Sequence, residues 1–359
     1  MPALHKPPCF VAFSGGRDSS AVLAAATSLA RQKGLPEPVP VTEIYPDVAE
    51  ADEEAWQRLV IEHLGLAEWI RIRIDGENDL LGDDARSGLL RHGLVWPAAF
   101  QVKHRMMSNV SGGSLLTGEG GDESLSPRRI TPLMLLLRKR RRRSRKLLTA
   151  CAWSMAPAPV RRARTRTAVV REDDRPWLTP SARRDHVRRI ADDDAAEPLR
   201  WDRATWWVGH QRASSVLFDN YAALAAEYDV SVHHPLADAT FLASLARTGG
   251  YWGYPGRTAL MRMLFSDLLP DEILRRTSKA GFDRAFMGET TREFARVWDG
   301  SGVNAALVDP DALRASWLSE RPSTMSGLLL QSAWLHGQRL GPAAPDGGRV
   351  IGEEAGDRL

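Results

Sequence analysis

The stretch Phe13-Ser14-Gly15-Gly16-Arg17-Asp18-Ser19-Ser20 constrains this chain more than any other. Val11, Ala12 and Phe13 before the turn are apolar and read as the end of a buried strand. Gly15 and Gly16 permit a tight turn and close backbone approach to a ligand. Ser19 and Ser20 are placed to cap a following helix, whose face reads through Ala21, Val22, Leu23, Ala26, Leu29 and Ala30. Strand, glycine loop and helix N-terminus bring free N–H groups and the positive end of a helix dipole to one point, which suits a phosphate. Asp18 adds a carboxylate able to hold a Mg²⁺ that bridges phosphates. No Gly-Lys-Ser/Thr follows, so the loop is not of the Walker type, nor is it the dinucleotide G-x-G-x-x-G.

Downstream, strand and helix patterns alternate. Val39 to Ile44 reads as a second strand, with Pro40 confined to an unpaired position at its start. Trp56, Leu59, Val60 and Leu64 share a helical face, and Ile70, Ile72 and Ile74 alternate with Arg71 and Arg73 as in a half-buried strand. Helical stretches are predicted over about 79–91 and 98–109, and a short buried strand over Ser114 to Thr117. Repeated strand–helix units imply a parallel sheet with right-handed crossovers, and ligands of such sheets sit beyond the carboxyl ends of the strands. After about Ser124 the strand patterns fade. Pro157, Pro159, Pro176 and Pro180 are expected to break the next segment into short pieces. Ala204 to Tyr228 reads as one long helix or two, and the tail from Gly341 reads as disordered.

Leu115-Leu116-Thr117-Gly118-Glu119-Gly120-Gly121-Asp122-Glu123 repeats the logic of the first loop: a short apolar strand ends in glycines and then acids. Two such loops at strand ends can bring Asp18 and Asp122 to one Mg²⁺ beside a leaving pyrophosphate.

Charge is unevenly spread. The 359 residues carry a net charge of +3, yet Arg128 to Arg189 holds 20 Lys/Arg and 4 Asp/Glu, a balance of +16, against −13 for the remainder. The basic segment is either a solvated face or a contact for something acidic: nucleic acid, an acidic peptide or partner protein, or another part of this protein. Cys9 and Cys151 form neither a metal pattern nor a disulfide framework. With no run of transmembrane length, no membrane association and a cytoplasmic location are expected.

The order Ser-Gly-Gly-x-Asp-Ser after a strand resembles the PP-loop of ATP pyrophosphatases. Together the two loops resemble the synthetase domain of the asparagine synthetase family, which includes β-lactam synthetases and lasso-peptide cyclases. Two later segments agree: Val232-His233-His234-Pro235-Leu236-Ala237-Asp238 resembles V-x-x-P-F-L-D, and Leu268-Leu269-Pro270 through Arg276, Lys279 and Phe282 resembles L-P-x-x-[IVL]-x-x-R-x-K-x-x-F. Four motifs in order are far more specific than one. The resemblance implies an α/β fold, a PP-loop (adenine nucleotide α-hydrolase-like) parallel sheet with helices on both faces, followed by a mainly helical C-terminal part. The expected division is residues 1–125 for the ATP-binding core, 126–198 for the basic segment, 199–340 for the helical part and 341–359 for the tail.

By the same resemblance the chain is an AMP-forming amide synthetase that activates a carboxylate as its acyl-adenylate for attack by an amine or ammonia. ATP and Mg²⁺ are implied. Ser14, Gly15, Gly16, Asp18, Ser19, Gly118, Gly120 and Gly121 would bind nucleotide and pyrophosphate, Asp18 and Asp122 the metal, and Lys279 would be the catalytic lysine. Three departures matter. The chain reaches its phosphate loop by Ser14, so a glutaminase domain is not expected within it. Ser231 stands where asparagine synthetases carry a Glu associated with the acyl-accepting site. P-F-L-D has become Pro-Leu-Ala-Asp, and His233 is similar to the lasso-cyclase relatives. The expected substrate is therefore a small-molecule or peptide carboxylate, with a peptide or specialised metabolite set against ammonia-dependent asparagine synthesis. The phosphate loop by itself would also suit a tRNA-modifying PP-loop enzyme or a nucleotide-binding subunit without turnover. The second loop and the Lys279 segment disfavour nucleic acid as a partner.

Overall fold

The computed structural model describes residues 2–138, 144–172, 175–278 and 280–340. Five strands, β1 (Cys9–Ala12), β2 (Val39–Ile44), β3 (Ile70–Arg73), β4 (Ser114–Leu116) and β5 (Ser231–His233), form one sheet in the order β3-β2-β1-β4-β5. Every pairing is parallel, with Phe10 opposite Val39 on one side and Leu115 on the other. Pro40 pairs only towards β1, because β3 joins β2 from Val41 onwards. The missing N–H therefore falls where the sheet needs none.

A parallel sheet is covered on both faces, and strand alternation decides which residue serves which face. Cys9, Val11 and Leu116 point into a core built with the helices Arg17–Lys33, Glu54–Leu64 and Arg257–Phe265. Phe10, Leu115, Val41 and Ile72 point into the opposite core, against Met107, Tyr221 and Leu224 from the helices His104–Asn109 and Arg212–Ala226. A third core lies in the helical part. It gathers Trp298, Trp317 and Trp334 with Leu80, Leu81, Leu89 and Trp177. Gln331 Nε2 reaches the carbonyls of Leu80 (3.3 Å) and Ala98 (3.1 Å) and ties the helix Gly327–Leu340 to the earlier chain. The α/β class with a helical C-terminal part is as the motifs imply.

Several local expectations are corrected. Neither Ser19 nor Ser20 caps the first helix. It starts at Arg17 with Gly16 as N-cap and no side-chain cap bond, so both serines lie inside its first turn. The stretch expected as one helix over 98–109 is a 3₁₀ turn, Ala98–Val102, followed by the helix His104–Asn109. The stretch 204–228, read as one long helix or two, is two, Trp201–Gly209 and Arg212–Ala226, as one of those readings has it. Pro157 and Pro176 lie between helices of the basic segment, as breaks, but the pieces are not short. The helices Ala158–Glu172 and Pro180–Ala196 run for 15 and 17 residues, because Pro159 and Pro180 occupy first turns, where a missing N–H costs nothing. Strand β5 has no counterpart in the sequence patterns. It has three residues, too few for a visible alternation.

The basic segment also finds acidic partners just beyond its end. Arg162 pairs with Asp192 (2.7 Å), Thr165 with Asp194 (2.8 Å), and the Arg129 amide with Glu197 (3.1 Å). Residues 139–143, the densest arginine run, and the tail 341–359 lie outside the described residues. No helix among the described residues is long and apolar enough to cross a membrane.

One buried ion pair clamps the helical part to the sheet. Arg276 makes a two-pronged contact with Glu53, with side chains 3% and 8% exposed. The same guanidinium donates to the Gly15 carbonyl (3.0 Å) and lies over the Trp56 ring (4.7 Å). Removing one partner strands the other charge. Glu53→Gln or Arg276→Met is therefore expected to lower the unfolding free energy by about 3–5 kcal/mol. The double variant Glu53→Leu/Arg276→Met should recover part of that loss in urea denaturation. Additive losses would show that the two groups do not act as a pair.

Candidate active site

The first loop is held by its own side chains. Phe13 still follows the sheet, donating its N–H to Val41 O (2.8 Å) and accepting from Thr42 Oγ1 (2.7 Å). The chain then turns at Gly15, where φ is +81° and a Cβ would lie 2.9 Å from Gln57 Cγ. Gln57 Nε2 in turn donates to Ser14 O (3.2 Å). The hydroxyls of Ser14 and Ser19 meet at 3.1 Å, and Ser19 Oγ also donates to Gly16 O (3.2 Å). With no side-chain cap, the N-terminal amides of the Arg17–Lys33 helix open on the end of the sheet, the arrangement that receives an anion.

The second loop leaves the adjacent strand β4 and packs directly on the first. A Cβ on Gly118 would lie 2.7 Å from Ser19 N, and one on Gly121 would lie 2.7 Å from Asp18 Oδ1. Gly120, with φ at +84°, precedes the short helix Gly121–Leu125 and abuts Ala237. These glycines are thus spaces into which the other loop fits. The two loops rise from neighbouring strands whose crossovers leave in opposite directions, the switch point where open α/β sheets bind ligands.

This packing brings Asp18 and Asp122 to a single cation, the guanidinium of Arg257. Its Nη2 is 2.5 Å from Asp18 Oδ2, and its Nη1 contacts Asp122 Oδ1. The donor set fits Mg²⁺: two hard carboxylates already share a cation, and Asp18 Oδ1 is buried with no hydrogen-bond partner among the described residues. No group of three His, Cys, Asp or Glu able to hold a metal occurs among the described residues, so the remaining ligands would be phosphate and water oxygens. Lys279 lies outside the described residues.

The loops form one wall of a cleft of about 440 Å³. Its floor contains residues that sequence reasoning passed over. Glu43 at the end of β2 pairs with Lys103 (2.9 Å) and accepts from Tyr45 Oη (2.9 Å), to which Asn78 also donates (2.8 Å). Burial alone would lower the Lys103 pKa, but Glu43, Tyr45 and Tyr221 outweigh it and the net shift is upward. Glu119 lines the same cleft. Burial raises its carboxyl pKa, opposed by Lys103 and reinforced by Glu123, Asp122 and Asp18. Arg17, Arg257 and Arg276 stand on the cleft wall. Burial, then the neighbouring Arg257, lowers the Arg17 pKa, opposed by Asp18 and Asp122. A weak sequence signal exists for Lys103, a cation set between the apolar Phe100 and Val102 and Met106 and Met107. For Arg257, one arginine of many, there is none.

One expectation about the later segments changes. Ser231 is not at the cleft. It begins β5 opposite Ser114, at the amino edge of the sheet, and accepts from Lys6 Nζ (3.0 Å). The ligand-facing loops leave the other edge, so Ser231 does not enlarge an acyl-acceptor pocket. Asp238 caps the helix Ala239–Gly249 by accepting from the amides of Thr240 (2.8 Å) and Phe241 (3.2 Å). His234 has Nδ1 2.7 Å from Thr117 Oγ1, and its ring packs on Phe218 and Tyr221.

Comparison with protein families places residues 4–336 within the model described as asparagine synthase. Comparison with curated proteins gives no match.

The His234 environment has a pH consequence. Burial, then the nearby His233, pushes its pKa down to about 4. The unfolded imidazole titrates near 6.5, so between these values the unfolded chain holds more protons and folding weakens as pH falls. The loss is absent above about pH 6.5 and reaches at most about 3 kcal/mol near pH 4. Urea midpoints from pH 7 to 4.5 should show the advantage of the wild type over His234→Asn shrinking on acidification. A pH-independent difference would mean that His234 is not held neutral.

Proposed function

Because the chain belongs to the asparagine synthase family, whose members are ATP-dependent enzymes that form carbon–nitrogen bonds, we propose that it is an AMP-forming amide synthetase acting on a peptide or specialised-metabolite carboxylate. The observation that carries this reading is the seating of Gly118 and Gly121 against Ser19 and Asp18, which directs two carboxylates to one cation beside an uncapped helix N-terminus.

In the proposed reaction a carboxylate oxygen attacks the α-phosphorus of ATP and pyrophosphate departs. An amine then attacks the acyl carbon, gives up a proton, and AMP leaves. The first-loop amides, Arg17 and Ser19 would hold the phosphates in line. Asp18 and Asp122 would hold Mg²⁺, which when bound offsets charge on the departing pyrophosphate. Glu119, a carboxylate of raised basicity, is the group suited to take the amine proton. Lys279, by resemblance, would stabilise charge at the α-phosphate.

The substrate class rests on a second groove. Tyr45 lines both the cleft and an adjoining groove of about 980 Å³ bordered by Arg284, Arg292, Arg296 and Arg321 with several carboxylates. An extended substrate could lie there with its reacting carboxylate in the cleft, an arrangement that aspartate is too short to use.

The test is carboxylate-dependent release of pyrophosphate and AMP from Mg-ATP. Short peptides bearing Asp or Glu side chains should support it, and aspartate with ammonia should not. Efficient asparagine formation would overturn the peptide reading. Asp18→Asn, Asp122→Asn and Lys279→Ala are each expected to slow turnover at least about 10²-fold, the scale of one electrostatic contact to developing charge. A variant of near wild-type activity would remove its residue from the mechanism.

A further inference from the structure

Two carboxylates on touching loops repel each other unless a cation lies between them. Here that cation belongs to the protein. Arg257 opens the helix Arg257–Phe265, and its guanidinium gives one branch to Asp18 and the other to Asp122. The side chain is only 12% exposed. Beside it, Arg17 Nη1 reaches Thr258 Oγ1 (3.4 Å), so a second guanidinium faces the same space.

The fork holds Asp18 Oδ2 and Asp122 Oδ1, the two oxygens through which a divalent ion would join the loops at this contact. Mg²⁺ takes oxygens at about 2.0–2.1 Å in a compact octahedron. A guanidinium and an ion of that size cannot both take those same two oxygens. Without nucleotide, exchange of Arg257 for metal would gain little: two carboxylates supply only part of the shell, and a buried guanidinium would lose its partners. A triphosphate reverses both terms, because its oxygens complete the metal shell and accept the displaced fork.

We propose that Arg257 is a resident counter-ion that keeps divalent metal off Asp18 and Asp122 until nucleotide arrives, and that it then moves its guanidinium onto the phosphates. Metal and nucleotide therefore enter together. This rests on the reading of Asp18 and Asp122 as the metal carboxylates.

The test is Mn²⁺ binding by the full chain, followed by electron paramagnetic resonance with and without an ATP analogue whose α,β-bridge cannot be cleaved. In the wild type the analogue should tighten Mn²⁺ binding at least about 10²-fold, since only the nucleotide-bound state is competent. Arg257→Gln should tighten nucleotide-free Mn²⁺ binding at least about tenfold and weaken the analogue by a similar factor, while Arg257→Lys restores much of the exclusion. A purely structural arginine would not raise nucleotide-free metal affinity when removed. Tight, Asp18-dependent Mn²⁺ binding by the nucleotide-free wild type would overturn the proposal without any variant. Unchanged nucleotide-free affinity in a folded Arg257→Gln protein would also overturn it. If Asp18→Asn and Asp122→Asn leave Mn²⁺ binding with the analogue intact, the metal-carboxylate reading itself fails, a result separate from the other two.

Discussion

The position of the helical part against the sheet depends on a charge pair that water does not reach. Arg276 and Glu53 give up most of their hydration, and a lone pair in that setting seldom stabilises more than apolar residues of the same shape would. Its value here is directional. The fork is satisfied only when Glu53, the Gly15 carbonyl and the Trp56 ring all stand where they do. An apolar contact could slide by an ångström at little cost, whereas this one cannot. The segment leading to Lys279 is thereby registered on the phosphate loop rather than merely packed near it.

From that registration the rest of the cleft follows. The two glycine loops touch because they leave neighbouring strands at the carboxyl edge, and they come this close because the second loop carries no side chain where Gly118 and Gly121 meet Ser19 and Asp18. The floor is assembled differently, from β2 and the 98–109 stretch, and its charges balance internally through Glu43 and Lys103. Glu119 stands between these two systems. It is electrostatically sensitive to both, and its basicity reflects the charge state of each.

How much of this is legible in the sequence depends on how local each signal is. The phosphate loop, its strand and the second loop are contiguous runs whose residue types state their geometry, and Pro40 even marks where β3 begins. The serine caps fail because glycine takes the N-cap, freeing the Ser19 hydroxyl to brace the loop from within. The basic segment meets another part of the chain, one of the partners its charge allows, but its own run cannot say which, because Asp192, Asp194 and Glu197 lie just past Arg189, where the run of positive charge ends. Ser231 is drawn toward a pocket by its neighbours in sequence, although a strand of three residues carries its first and last members to opposite edges of a sheet. Arg257 is invisible because its two partners are more than a hundred positions away, and no residue beside it hints at them.

That separation shapes how the protein is made. Asp18 and Asp122 leave the ribosome long before Arg257, which is 239 positions after the first. Through most of synthesis the two loops can meet only without the cation that joins their carboxylates, with Arg17 beside Asp18 as a partial offset to their repulsion. Contacts of such span close late and slowly, since the loop entropy must be met before they form. The nascent sheet therefore waits with its central edge open, and the last helices to emerge complete it.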